Sequence, residues 1–401
     1  MNATLLLLLC HRHALTMVEG PYSHSERHSR YAKRFIKSLS KRQRRFRRRY
    51  IPRPSLHLPD ASSWRQIYEA RQDQALITMT GLDFATFDWL ADKFAVLFDA
   101  HTPWNQTTGD IVTLQLQTRG RKRSITASDC LGLSLMWTRT RGSTTSLQII
   151  FGLTQNPVSV YLRFGRRILI SVLSSEPDAR IRVPDIEALQ QHMVSVHRRH
   201  PLLENVWCTM DGLKLYLQEA GSTTVENAYY NGWKCDHYVS GVIVFCPDGT
   251  IPIVCYNVPG SVHDSEIAKW GNIYQKLESV YQLCGGRCTV DSAFSASRSD
   301  YLIRSANTNY VGETRAEFAA SVAFNAEATS MRQSAEWGMR TFQASFPRIK
   351  DRFVYEERGE RKRILKLCFL LYNVRARRVG INQLRSVYLE NLDRNPTDLY
   401  G

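Results

Sequence analysis

Apolar positions follow a helical rhythm in the first half of the chain and fall into short β-rich runs in the second. From Trp64 the pattern turns helical, and Phe84, Phe87, Leu90, Ala91, Phe94, Leu97 and Phe98 mark one face of a 3.6-period helix. Another helix is expected to start near Thr126-Ala127-Ser128-Asp129, where short oxygen-bearing side chains accept hydrogen bonds from unpaired N–H groups. Leu147, Ile149, Ile150 and Phe151 then stop at Gly152, and Asn156-Pro157 opens a second helix carrying Arg163, Arg166 and Arg167. Asparagine caps, and proline loses nothing at the first helical position. The pair forms a candidate helix-turn-helix whose second helix would enter a major groove, although two packed helices of any α-bundle share the pattern.

After residue 200 the runs 206–210, 238–245, 251–256 and 288–290 read as strands, with Pro247-Asp248-Gly249 as a turn. From about 325 to 378 the chain reads helical, with Ile364, Leu367, Cys368 and Leu371 as a buried face. This order predicts an α/β fold, a mixed sheet flanked by helices and preceded by an all-α region. The expected divisions are a basic arm over 1–60, a helical DNA-binding domain over 61–200, a catalytic domain over 201–385 and a tail over 386–401.

Charge sharpens this picture. Of a net +16, residues 1–60 contribute +11, and Lys41, Arg42, Arg44, Arg45, Arg47, Arg48 and Arg49 stand within nine positions. Such a run is too charged for a core, so a disordered arm is expected, serving nuclear import or phosphate binding, or simply remaining a solvated stretch. The nine cysteines include no Cys-x-x-Cys pair, which predicts free thiols rather than a zinc finger or disulfide framework. The apolar run Leu5–Cys10 lacks a preceding basic residue and a small-residue cleavage pattern, so export is not expected. No stretch reaches the ~20 apolar residues of a membrane helix.

Three acids carry the candidate chemistry. Asp211-Gly212 follows the run 206–210, Asp291-Ser292 follows 288–290, and Glu336 sits in Met331-Arg332-Gln333-Ser334-Ala335-Glu336-Trp337-Gly338. If the two strands are neighbours, both aspartates emerge at one edge and a packed helix brings the glutamate over them. Converging carboxylates repel unless cations lie between them, and oxygen ligands of this kind suit Mg²⁺ or Mn²⁺. Two such ions would activate a nucleophile and stabilise the leaving oxygen of a phosphodiester. Taken singly, Asp211 reads as a turn residue, Asp291 as a helix cap and Glu336 as an ion-pair partner of Arg332.

Taken together, these segments resemble the DDE transposases of the PIF/Harbinger group and the nucleases derived from them. The resemblance rests on Cys208-Thr209-Met210-Asp211-Gly212, Tyr229-Tyr230-Asn231-Gly232, Pro259-Gly260-Ser261-Val262-His263-Asp264-Ser265, Val290-Asp291-Ser292-Ala293-Phe294 and Arg332 through Gly338. Trp137-Thr138-Arg139-Thr140-Arg141-Gly142 and Phe151-Gly152-Leu153-Thr154 also look like that group's amino-terminal region. The resemblance implies a ribonuclease-H-like core, Asp211, Asp291 and Glu336 as catalytic metal ligands, and two ions of Mg²⁺ or Mn²⁺. It also implies double-stranded DNA as substrate, cut and joined at transposon ends. Alternatives are a domesticated nuclease without transposition and a non-catalytic DNA-binding regulator. A Myb-like accessory protein, self-association of the chain and a nuclear location are further implications. Asp264 is expected to open a helix in a structural role beside the ligands rather than as a ligand, and His263 to be a packed core histidine or a donor to a carboxylate or phosphate. Lys350, Arg348 and Arg352 would hold backbone phosphates or form an ordinary charged face.

Overall fold

The computed structural model describes residues 51–103, 123–218, 223–232, 234–294, 299–304, 314–354 and 357–390. The basic run Lys41–Arg49 and the charged segment 119–122 lie outside the described residues.

Local signals place the first helices. In α1 (Ser63–Ala70) the Ser62 hydroxyl accepts from the Arg65 N–H, and α2 (Asp73–Thr80) ends at Gly81 in the left-handed region. Asp83 caps α3 (Phe84–Ala100), which buries Phe84, Phe87, Leu90, Ala91, Phe94 and Phe98, the face expected from the spacing. Thr126 and Asp129 form a reciprocal capping box at the start of α4 (Ala127–Arg139). Asp129 also accepts from Trp64 Nε1 (3.1 Å) and Arg65 (3.0 Å), tying α1 to α4.

The helix pair around Gly152 is present as α5 (Thr145–Phe151) and α6 (Gln155–Ser175). Its start differs from the expected one. Thr154, not Asn156, occupies the cap, and Pro157 falls at the third helical position, where its missing N–H is still one of the unpaired first four. Gly152 has φ +62, and a β-carbon there would meet the His57 carbonyl at 2.5 Å. Arg53 donates to the Gly152 carbonyl, so the expected disordered arm is already packed onto this turn from Arg53 onward.

After α7 (Ile186–Arg199) come β1 (Val206–Tyr216), α8 (Thr223–Tyr229), β2 (Tyr230–Asn231), β3 (Asp236–Phe245) and β4 (Ile253–Pro259). Then follow α9 (Asp264–Trp270), α10 (Ile273–Cys284), β5 (Arg287–Val290), β6 (Leu302–Arg304), α11 (Arg315–Ser345) and α12 (Arg358–Val374). In the sheet β3 runs antiparallel to β1, β2 and β4, while β1, β5 and β6 are mutually parallel neighbours in that order. This is the expected mixed sheet. The strand at 206–210 proves longer than its apolar run, because β3 pairs with it through Asp211↔Ile243 and Gly212↔Val242 as far as Tyr216↔Tyr238. The helical stretch expected over 325–378 is two helices, because Pro347 follows the end of α11 and residues 352–354 return to β1, where Gln218 N–H donates to the Phe353 carbonyl (2.8 Å).

The two faces of the sheet belong to different apolar clusters. Cys208, Met210, Val242, Val244 and Val290 pack with Ile267 of α9 and Leu277 of α10. Leu213, Leu215 and Phe245 pack with Met331, Ala335 and Phe342 of α11, in one cluster that also contains Trp64, Phe87 and Phe164 of the helical half. The division expected near residue 200 is therefore not a boundary between cores: residues from Arg53 form a single unit. The tail expected from 386 is likewise packed at its start, with Tyr388 buried.

Candidate active site

Strand register brings the two aspartates together. Met210 of β1 is the parallel partner of Val290 of β5, so Asp211 and Asp291 are the next residues on adjacent strands. There β5 ends while β1 continues, which frees the β5 side of β1 at Asp211. Asp291 closes a turn, its Oδ1 accepting from the Ser292 N–H (2.8 Å) and its carbonyl from Phe294 N–H (3.1 Å). No helix begins there among the described residues. By strand alternation Asp211 shares its face with Leu213 and Leu215, the side covered by α11.

Electrostatics report the crowding. Burial, with smaller contributions from Asp291 and Asp264, pushes the Asp211 carboxyl up to about 6, against the opposing effects of the Gly212 N–H and Arg332. The Gly212 N–H donates to Asp211 Oδ1 at 2.7 Å. Asp264, the first residue of α9, reaches across Gly212, and its Oδ2 lies 2.4 Å from where a glycine β-carbon would stand. Burial raises the Asp264 carboxyl too, with Lys214 and His263 opposing and Asp291 adding to the rise. Asp264 opens its helix as expected. His263 is not a core residue: it is exposed, and its Nδ1 caps α9 by accepting from the Ser265 N–H (3.3 Å).

Glu336 lies on α11, which packs against β1, β5 and β6. Its Oε1 accepts from Arg332 (3.4 Å), its Oε2 is 4.0 Å from Arg340, and its side chain is 42% exposed. Arg332 therefore acts on both Asp211 and Glu336, the i,i−4 pair foreseen for the glutamate. Asp211 and Asp291 stand side by side, and Arg332 connects Asp211 electrostatically to Glu336. Among the described residues, however, the three acids do not form a group with ligand atoms within 4.8 Å of one another. Carboxylate oxygens of this kind suit hard divalent ions.

The basic residues divide. Arg163 and Lys350 are exposed. Arg166 and Arg167 turn inward instead of facing a groove: Arg166 pairs with Glu360 of α12 (2.8 Å) and stacks on Trp137 (4.2 Å), and Arg167 is 7% exposed. They do so because α6 packs on α12 and on α4, so more than one of its faces is covered. Arg352 pairs with Asp236 (2.8 Å). Arg348 covers Trp137 (4.8 Å) and donates to the Gly142 carbonyl (2.7 Å). Asp351 accepts from Arg141 (3.0 Å) and the Gly142 N–H (2.8 Å), so the Trp137–Gly142 stretch joins the helical half to the loop after α11.

Sequence reasoning missed a basic cavity of about 830 Å³ whose lining includes Arg139, Arg375, Arg377, Arg378, Arg385 and Ser345 and, among the described residues, no carboxylate. Burial and the neighbouring Arg375 bring the Arg139 guanidinium down to about 10. Arg139 also donates to the Ser345 carbonyl (3.1 Å) at the end of α11, a favourable place for a cation. The Arg375–Arg378 cluster was visible as sequence, but its convergence with Arg139 across more than two hundred residues was not. Among the described residues no helix is long and apolar enough to cross a membrane.

Residues 210–373 match a protein-family model described as DDE superfamily endonuclease. The matched segment contains Asp211, Asp264, Asp291 and Glu336, and its mixed, helix-flanked sheet is consistent with a ribonuclease-H-like DDE nuclease fold. No curated protein and no solved structure matches the chain.

Proposed function

We propose that this chain is a divalent-metal-dependent DNA endonuclease of the transposase type, with Asp211 and Asp291 as paired ligands and Glu336 as the third carboxylate. The observation that carries this reading is the Met210↔Val290 register, which sets Asp211 beside Asp291 where β5 ends. Burial raises the Asp211 carboxyl, and the smaller contributions of Asp291 and Asp264 act in the same direction, so the charged form is unfavourable in the protein alone. A site that accepts this repulsion is one whose charge is completed by a cation.

Asp211, Asp291 and Glu336 would hold Mg²⁺ or Mn²⁺. Such ions, when bound, supply an activated water or hydroxyl and stabilise the leaving oxygen of the phosphodiester. Asp211 binds in its charged form, and the Gly212 N–H fixes its Oδ1. Arg332 holds Glu336 on the site's rim and favours the charged form of Asp211. Asp264 orients the strand at Gly212 and adds negative charge without being assigned as a ligand. Of the cations expected to contact DNA, Arg163 and Lys350 are exposed and would meet its phosphates.

Strand transfer at transposon ends, the PIF/Harbinger relationship and a nuclear location belong to the same proposal. The test is cleavage of duplex DNA bearing terminal inverted repeats, with Mg²⁺ or Mn²⁺, by the parent and by Asp211→Ala, Asp291→Ala and Glu336→Ala. Loss of cleavage in all three, with DNA binding retained, is expected. Variants that cut as well as the parent would overturn the assignment.

A further inference from the structure

Among the described residues, one group of metal-ligating side chains comes together, and it does not include Asp211, Asp291 or Glu336. His192 of α7, Cys246 at the end of β3 and Asp248 in the following turn place one ligand atom each within 4.8 Å of one another. His192 and Cys246 are buried and Asp248 is half-buried. Phe245 is the partner of Thr209, so Cys246 stands level with Cys208, three residues before Asp211 on β1.

The turn that carries two of the three is rigidly built. Cys246 N–H donates to the Thr250 carbonyl (2.9 Å), and Gly249 N–H donates to the Cys246 carbonyl (2.9 Å). Gly249 takes φ +82, which few side chains tolerate, and its carbonyl accepts from Asn382 Nδ2 (3.1 Å). Thr250 donates to Asp248 Oδ1 through both its N–H (2.9 Å) and its hydroxyl (2.7 Å). That leaves Oδ2 facing His192 Nε2 at 3.9 Å, too long for a hydrogen bond but suited to two ligands of one ion.

We propose that His192, Cys246 and Asp248 form a zinc site that fastens α7 to the β3–β4 turn. The donor set selects the ion. A thiolate and an imidazole favour borderline-soft Zn²⁺ over Mg²⁺ or Mn²⁺, and three protein ligands leave one tetrahedral position for water or another donor. Charge agrees with burial, because one thiolate and one carboxylate neutralise a divalent ion. On binding, Cys246 would give up its thiol proton to solvent and His192 would coordinate through a ring nitrogen lone pair. The Thr250 bonds to Asp248 do for this carboxylate what outer-shell partners do in metal sites generally, holding one oxygen so that the other points at the ion. The facing cation is Arg377, whose Nη1 is held by the carbonyls of Pro177, Asp178 and Arg180.

The site is independent of the proposed nuclease centre, and its test can fail separately. The full chain, stripped of metal and titrated with Co²⁺, should develop the near-ultraviolet absorption of a thiolate–cobalt bond at one equivalent, and Zn²⁺ should abolish it. Asp211→Asn should leave this signal intact. Cys246→Ser should remove it. Asp248→Asn, which keeps the Oδ1 acceptor for Thr250 and so preserves the turn, should weaken Co²⁺ binding at least roughly tenfold with an unchanged far-ultraviolet dichroism spectrum. Absence of the band in the parent chain, or its persistence in Cys246→Ser, overturns the site. So does unchanged affinity in folded Asp248→Asn.

Discussion

Asp264 occupies the space that a side chain at Gly212 would need: its Oδ2 is 2.4 Å, and its Cγ 2.8 Å, from the place of the missing β-carbon. The glycine after Asp211 is thus required by a carboxylate from another element. Gly212→Ala should destabilise the protein by about 1–3 kcal/mol, the usual cost of overpacking, and depress cleavage by shifting Asp264 and its neighbour Asp211. Adding Asp264→Ala to Gly212→Ala should restore most of the stability. Urea unfolding of the two single variants and the double variant checks this, and additive effects would show that the two residues do not meet.

Asp211 makes a prediction about pH. Its folded carboxyl is raised to about 6 from an ordinary 3.8, chiefly by burial. The folded state therefore binds more protons than the unfolded state between those values, so this group's contribution to stability falls as pH rises through that window and is flat above it. Asp211→Asn should leave stability nearly unchanged near pH 4 and raise it by up to about 2 kcal/mol at pH 8 in chelator, while abolishing cleavage. Urea unfolding of both proteins at the two pH values is the measurement. A gap that is largest at low pH would contradict the buried, crowded carboxyl.

Two arginines on one helix should behave differently. Arg166 pairs with Glu360 and stacks on Trp137, so Arg166→Ala should cost about 1–3 kcal/mol through the lost ion pair and stacking, Glu360 keeping Arg363 (3.0 Å) as a partner. Arg163 is exposed, and Arg163→Ala should leave stability within about 0.5 kcal/mol while weakening DNA binding and flattening its salt dependence. Thermal unfolding and a salt titration of DNA affinity separate the two. The assignment of Arg166 to packing fails if its variant is as stable as the parent and binds DNA worse.

The carboxy-terminal end is the fourth case. Tyr388 is 1% exposed, its hydroxyl lies 3.2 Å from His200 Nε2, and it donates to Met331 Sδ at 3.0 Å, in the α11 that bears Glu336. Tyr388→Ala should cost about 3–5 kcal/mol, as for other large buried aromatics, and truncation after Arg385 should do the same. Chemical denaturation of the two variants against the parent tests this.

Periodic segments were legible where local physics dominates. The apolar face of α3 and the helix start at Thr126 follow from residues close in the chain, as do the short β-rich runs that become the strands of the sheet. Lengths were misread where a distant partner extends or interrupts an element. β1 runs past Asp211 because β3 pairs with it, and the long helical stretch breaks where Pro347 and a return to β1 intervene. Arg166 and Arg167 looked like groove-facing cations because a charge on a helix says nothing about which of its faces another helix will cover.

The amino-acid sequence alone supplied the residues on which the proposed chemistry rests, since Asp211, Asp291 and Glu336 are acids at ends or in the middle of elements whose periodicity is local. Only the tertiary structure decided that β5 stops beside Asp211, that Asp264 lies over Gly212, that Arg332 acts on both Asp211 and Glu336, and that His192 meets Cys246 and Asp248. The physical reason is one of range. Periodicity and capping act over a few residues, whereas strand register and charge convergence depend on contacts between segments tens to hundreds of residues apart.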